Sequence, residues 1–219
     1  MLRIALIHAT PLSIEPINAA FAQLWPEAER MHLLDDSLSR DRQRDGELTP
    51  AMTQRFVTLA TYAKGTGADA ILFTCSAFGP AIDEAGRAVG IPTLKPNEAM
   101  FEQALGMGRR LALVATFAPS IDSMAPEIEQ MARERKQAID LQTVHVPGAM
   151  DDLAAGRADE HHRKIADAVA QLADRDAVML AQFSMSGAQP AAQARTSCPI
   201  LTSPACAVAA LRRRMAGAA

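Results

Sequence analysis

The chain has no apolar run near the roughly 20 residues that a membrane helix needs, so no membrane partner is expected. It has no Cys-x-x-Cys, no His-Glu-x-x-His and no other metal-ligand spacing, which argues against a metal site. His161 and His162 are helical neighbours pointing about 100° apart, a poor pair of ligands. Gly-x-Gly-x-x-Gly and phosphate loops are missing too. Gly65-Thr-Gly67 precedes a strand, the wrong context for one. No cofactor is therefore expected. Cysteine is scarce, with three residues at 75, 198 and 206. An odd count with no secretory signal argues against a disulfide framework and for free thiols in a reducing cytoplasm. The opening Met1–His8 stretch is too short for a signal h-region, and His8 and Pro11 interrupt it. It reads as a first strand. Excess charge of one sign is also lacking. Against 25 Asp and Glu stand 22 Lys and Arg, a net charge of −3, which gives no reason to expect a nucleic-acid partner. The one dense basic run, Arg212–Arg214, fits the solvated last turn of a closing helix, where cations oppose the negative dipole end.

What is present is ordinary globular material. The 219 residues are 49% hydrophobic, enough for one large domain or two small ones. Runs at Arg3–Ile7, Met31–Leu34, Ala70–Phe73, Thr93–Leu94, Leu111–Val114, Leu141–Val146, Val178–Leu180 and Ile200–Leu201 read as strands. Several are apolar without alternation, as buried parallel strands are. Helical patterns lie between them, including Ala51–Lys64, Ala81–Val89, Asn97–Leu105, Ser120–Lys136, Asp159–Leu172 and Pro204–Met215. Strand alternating with helix predicts an α/β protein with parallel sheet covered on both faces.

The chain also repeats itself. Arg3-Ile-Ala-Leu-Ile matches Arg110-Leu-Ala-Leu-Val, an offset of 110 − 3 = 107. Ser13-Ile14 matches Ser120-Ile121, Asp69-Ala-Ile-Leu-Phe matches Asp176-Ala-Val-Met-Leu, and Ile91-Pro-Thr-Leu matches Cys198-Pro-Ile-Leu, all at 107. Four matches in one register indicate duplication. The second strand of each half fits less well, which predicts compensating insertions there. The expected architecture is two pseudo-symmetric, doubly wound, flavodoxin-like halves. They are residues 1–107 and 108–219, with the closing helix 204–217 able to pack back onto the first. In such sheets ligands bind beyond the carboxyl ends of the strands. The expected site is thus a cleft between the halves. It would be lined by His8–Pro11, Thr74–Ala77, Ala115–Ala118 and Ala181–Ser184.

At those strand ends Cys75 is the candidate acid/base. A loop leading into a helix would lower its pKa, although the position equally suits a small core residue. Adding 107 to 75 gives Gln182, which cannot exchange a proton near neutrality but can orient a substrate or donate to an oxyanion. His8 could titrate near neutrality, or simply be a hydrogen-bonded strand end. Thr10, Thr74, Ser76, Thr116, Ser120 and Ser184 are candidate carboxylate ligands, or turn and cap residues. Phe78, Phe117, Phe183 and Met185 flank the expected cleft or fill core. Cys198 and Cys206 are expected in the core.

A duplicated α/β chain of this size, with a thiol after the third strand of a half, resembles the aspartate/glutamate (hydantoin) racemase superfamily. Ile4–Pro11, Asp69–Gly79, Leu111–Phe117 and Asp176–Met185 carry the likeness. Members include amino-acid racemases, hydantoin racemase, maleate isomerase and arylmalonate decarboxylase, and the last two form the branch this chain resembles most. The resemblance implies chemistry without metal or organic cofactor at the carbon alpha to a carboxylate. In the family two cysteines, one per half, typically flank that carbon. Here the first falls on Cys75 and the second on Gln182, so the two-thiol pattern is broken. Racemisation in both directions needs an acid/base on each face. His8 would have to replace the missing thiol. Single-thiol members, such as arylmalonate decarboxylase, instead protonate an enediolate left by departing carbon dioxide.

The function expected is therefore a one-thiol isomerase or lyase, racemase-like or decarboxylating, with a small carboxylic or amino acid as substrate. Alternatives are a carboxylate-binding protein that has lost two-base catalysis, or a cis–trans isomerase using Cys75 as nucleophile. The composition is compatible with a homo-oligomer.

Overall fold

A computed structural model describes residues 1–217. By internal packing the chain forms two units, one of Met1–Pro96 with the chain from Pro204 onward, the other of Asn97–Ser203.

In the first unit the strands are β1 (Arg3–His8), β2 (Glu29–Leu34), β3 (Ala70–Phe73) and β4 (Thr93–Leu94). They are all parallel, in the order β2-β1-β3-β4. Helices α1 (Ile14–Leu24), α2 (Ser37–Asp45), α3 (Pro50–Gly65) and α4 (Gly79–Val89) cross between them. Central strands β1 and β3 are buried on both faces, so Ile4, Leu6, Ile7, Ile71 and Phe73 form an uninterrupted apolar run in each. Phe56 of α3 stacks on Phe73 and tilts against Phe78, fastening α3 over the sheet. Thr49 caps α3 by accepting from the Met52 amide at 3.2 Å, with Pro50 at its first position.

The second unit opens with α5 (Glu98–Met107). It continues through β5 (Arg110–Ala115), α6 (Ala118–Glu134), β6 (Asp140–His145), α7 (Ala149–Ala154), α8 (Ala158–Val169), β7 (Ala177–Leu180), α9 (Gln189–Gln193) and β8 (Ile200–Thr202). Its sheet is again parallel, ordered β6-β5-β7-β8. The expected class, α/β with two doubly wound halves, is the observed one. The repeat extends to register: β1 pairs Ile4 with Ala70, and β5 pairs Leu111 with Ala177, each partner shifted by 107. The insertion expected at the second strands is there. β6 begins 140 − 29 = 111 residues after β2, and β7 returns to 177 − 70 = 107.

The packing boundary is not the repeat boundary. Counted by sequence, α5 falls in residues 1–107; it packs instead on β7, β8 and α6 of the second unit. The closing helix α10 (Ser203–Ala216) counts with the first unit from Pro204 on, buries Val208 and Leu211, and anchors Arg212 on the Leu24 carbonyl at 2.7 Å and on Glu27 at 2.9 Å. The two cuts, after Pro96 and after Ser203, are 203 − 96 = 107 apart. Each unit thus lacks the helix that follows its own fourth strand and holds the other's.

Candidate active site

In the strand order 2-1-3-4 the connections diverge between β1 and β3, and there the carboxyl ends of adjacent strands leave room for a ligand. His8 ends β1, and Thr74-Cys75 follows β3. The Thr74 amide donates to the Ile7 carbonyl at 3.0 Å, so the chain leaves β3 still paired to β1.

Cys75 is buried, with 7% of its surface exposed. Its sulfur meets the Ile7 carbonyl oxygen at 3.6 Å. Burial pushes the thiol up to about 12, although the amides of Ala9 and Thr74 and the Thr74 hydroxyl all favour the thiolate. The lowering expected from a following helix is overturned. α4 begins four residues downstream, and desolvation of the charge outweighs the donors.

His8 has no exposed surface. Its Nδ1 lies 3.0 Å from the Ser13 Oγ and 2.8 Å from the Thr74 Oγ1, and those two hydroxyls lie 2.9 Å apart. Its Nε2 lies 2.9 Å from His32 Nδ1 on β2. The expectation that His8 titrates near neutrality fails: burial, then the neighbouring His32, holds it down at about 4. His32 is exposed, and its pKa too is lowered, by desolvation and then by Arg30. Thr10 caps the turn Pro11–Ser13, accepting from the Leu12 amide at 3.4 Å, and its carbonyl accepts from Ser13 Oγ at 3.0 Å.

In the second unit the equivalent point lies between β5 and β7. The Ala181 amide donates to the Val114 carbonyl at 2.9 Å, matching Thr74 on Ile7 at an offset of 107. Gln182 therefore stands structurally where Cys75 stands. Its Oε1 accepts from the Thr116 amide at 2.9 Å and from the Thr116 hydroxyl at 3.1 Å. Thr116 is Ala9 plus 107, so the amide that faces the thiol in one unit faces a carbonyl oxygen in the other. With the oxygen so held, Gln182 Nε2 is the free end of the amide. It is buried and has no hydrogen-bond partner among the described residues. A buried N–H without a partner is costly, and an acceptor oxygen would satisfy it.

The remaining candidates separate by role. Ser184 is buried in the turn Phe183–Ala188, and Phe183 and Met185 are core, as Phe78 is in the first unit. Phe117 is half-buried at the start of α6, Ser120 is buried in its first turn, and Ser76 is half-buried in the turn after Cys75. Cys198 belongs to the second unit's core, whereas Cys206 is only half-buried on α10. So unit one unites His8, Thr74 and Cys75, and unit two unites Thr116 and Gln182. Sequence reasoning missed Ser13 and His32 as parts of the cluster. Ser13 showed only as a repeat match, and His32 follows from the β1–β2 register, which pairs it with Leu6 on the face His8 shares. Among the described residues no group of three or more His, Cys, Asp and Glu is placed to hold a metal ion, and no helix is long and apolar enough to cross a membrane.

A family model for Asp/Glu/Hydantoin racemase matches residues 7–211. Curated protein sequences give no significant match. Among solved structures, glutamate racemase isoform RacE1 from Bacillus anthracis is similar with a TM-score of 0.79 at 13% identity, covering 99% of this chain and 82% of that one. Allantoin racemase from Klebsiella pneumoniae gives 0.70 at 15% identity, covering 99% and 88%. A liganded arylmalonate decarboxylase mutant, with a glycine changed to cysteine and a cysteine to serine, gives 0.64 at 19%, covering 97% and 92%. At such identities the likeness establishes the fold.

Proposed function

This chain belongs to the Asp/Glu/hydantoin racemase family, and on that premise we propose that it is a cofactor-independent enzyme in which Cys75 protonates a carbanion formed alpha to a carboxylate. The observation that carries this is the state of the thiol. Burial raises its pKa to about 12, so the group rests as the neutral thiol at neutral pH. Such a group is an acid at rest, not a base. Two-base racemisation needs one partner deprotonated before the substrate's proton leaves. Neither Cys75 nor Gln182 supplies that, and His8 has both ring nitrogens committed within its cluster.

Loss of carbon dioxide generates a carbanion without any protein base. An enediolate is far more basic than a thiolate, so even a thiol near 12 can protonate it. At the equivalent point of the second unit, the buried Gln182 Nε2 has no partner among the described residues and can donate to an acceptor oxygen. The cysteine-exchanged arylmalonate decarboxylase supports this reading by its fold and by the name of its activity. The substrate class is a 2-substituted malonate or a related carboxylic acid.

The test incubates a panel of 2-substituted malonates and of amino acids in deuterated water, followed by NMR and chiral chromatography. We expect carbon dioxide release with one deuterium at the alpha carbon, lost in Cys75→Ala. Decarboxylation or exchange that persists in Cys75→Ala overturns the assignment.

A further inference from the structure

A proton donor buried away from water must be recharged after each turnover, and the first unit contains an unbroken path for it. Resting on the reading of Cys75 as that donor, we propose that His32, His8 and Thr74 form a proton relay from solvent to the Cys75 sulfur. The exposed end is His32 on β2. Its Nδ1 is 2.9 Å from His8 Nε2, and His8 Nδ1 is 2.8 Å from the Thr74 hydroxyl. Thr74 Oγ1 and Cys75 Sγ then converge on one acceptor, the Ile7 carbonyl oxygen, at 3.4 and 3.6 Å. The Thr74 hydroxyl lies within hydrogen-bonding reach of the sulfur.

The donors can all point one way. Ser13 Oγ–H donates to the Thr10 carbonyl at 3.0 Å, so toward Thr74 and His8 the Ser13 oxygen accepts. His32 Nδ1–H then donates to His8 Nε2 and His8 Nδ1–H to Thr74, and the Thr74 hydroxyl hydrogen, at rest directed to the Ser13 oxygen or the Ile7 carbonyl, can turn to the sulfur once that becomes a thiolate.

The step balances. The S–H bond breaks as the C–H bond of the product forms, leaving a thiolate. That thiolate takes the Thr74 hydroxyl proton, Thr74 takes the proton from His8 Nδ1, His8 Nε2 takes one from His32 Nδ1, and His32 takes one from water. An imidazole is the one side chain that can accept at one nitrogen while releasing at the other. Burial and the adjacent imidazole keep His8 neutral and hence able to do so. Arg30 has the same effect on His32, reinforcing its desolvation. His8 and His32 are positioning and transfer groups; within the relay, only the thiol touches substrate.

The test needs no substrate. Cys75 S–H exchange into deuterated water is followed by its infrared S–H stretch, assigned by difference against Cys75→Ala, with the Cys198 thiol of the other unit as internal control. Exchange at Cys75 is expected to slow about tenfold or more in Thr74→Val and to recover in Thr74→Ser, as for removal of a general acid/base. His32→Phe, an exposed substitution that caps His8 Nε2 with an apolar ring, is expected to slow it likewise without threatening the fold. Wild-type exchange in folded Thr74→Val, or in His32→Phe, overturns the relay. On any substrate turned over, both variants lower kcat with KM held. Loss of activity in Cys75→Ala alongside unchanged Thr74→Val and His32→Phe would retain the thiol and reject the relay, so the two claims fail separately.

Discussion

At the scale of single residues, His8 is the group whose surroundings most change its chemistry. Its pKa falls from 6.5 to about 4 on folding. Between those values the unfolded chain binds the proton and the folded chain does not, so stability rises with pH across that window. Acidification from about 6.5 to about 4 therefore removes stability, and below about 4 this contribution is fully lost. The shift corresponds to about 3 kcal/mol. His8→Gln is expected to flatten that part of the profile, read as the urea midpoint at successive pH values. Equal slopes in the variant and the wild type would show that other groups, such as the buried His161, dominate the acid limb. Gln182 makes the complementary point. A glutamine in place of a thiol reads as a loss, yet its oxygen keeps the amide contact the sulfur has in the other unit, and its nitrogen is left without a partner among the described residues.

At the scale of elements, each unit clamps its first strand to its third with one aspartate. Asp69 Oδ2 accepts from the Arg3 amide at 2.7 Å. Asp176 Oδ2 accepts from the amides of Arg109 and Arg110 at 2.8 and 2.9 Å, and Oδ1 takes the Arg110 guanidinium at 2.9 Å. Gly108 permits that approach, because a Cβ there would collide with the Asp176 carboxylate. The Arg110 amide, its guanidinium and the Arg109 amide hold Asp176 down at about 2. A depressed carboxyl stabilises above its unfolded pKa and stops doing so as pH falls through the folded value. Asp176→Asn should therefore remove a component of acid destabilisation between pH about 4 and about 2, measured as a change in the slope of the urea midpoint. An unaltered slope would mean the clamp does not matter to the fold.

These same elements show what sequence makes visible. β1, β3, β5 and β7 are sheathed on both faces, so their residues are apolar throughout and stand out. The 107-residue register carries Cys75 onto Gln182 because equivalent strands leave their sheets by equivalent hydrogen bonds. α2 gives no such signal, since its charged sequence buries only Leu38 and Arg42. His32 had no signal either. Its role comes from strand pairing across 24 residues, and nothing local to position 32 encodes it. The thiol's ionisation is hidden for a related reason: a following helix is visible in sequence, whereas the burial that outweighs it is a property of the packed unit.

At the scale of the whole molecule, the exchange of α5 and α10 makes neither repeat self-sufficient. Val208 and Leu211 are fully buried on α10. Losing their burial removes roughly 3–6 kcal/mol, a large share of the ~5–15 kcal/mol that holds a domain together. A chain ending at Ser203 should therefore lose hydrogen-exchange protection in β1 and β3 while β5 and β7 keep theirs. Uniform loss, or none, would show that the units do not divide as their contacts do.

The exchange also imposes an order on synthesis. Residues 97–203 are continuous and are all present once Ser203 has left the ribosome, whereas the first unit waits for the closing helix. The half translated second is thus the first that can be finished. The unit that contains Cys75 can therefore close only after the residues from Pro204 on have emerged.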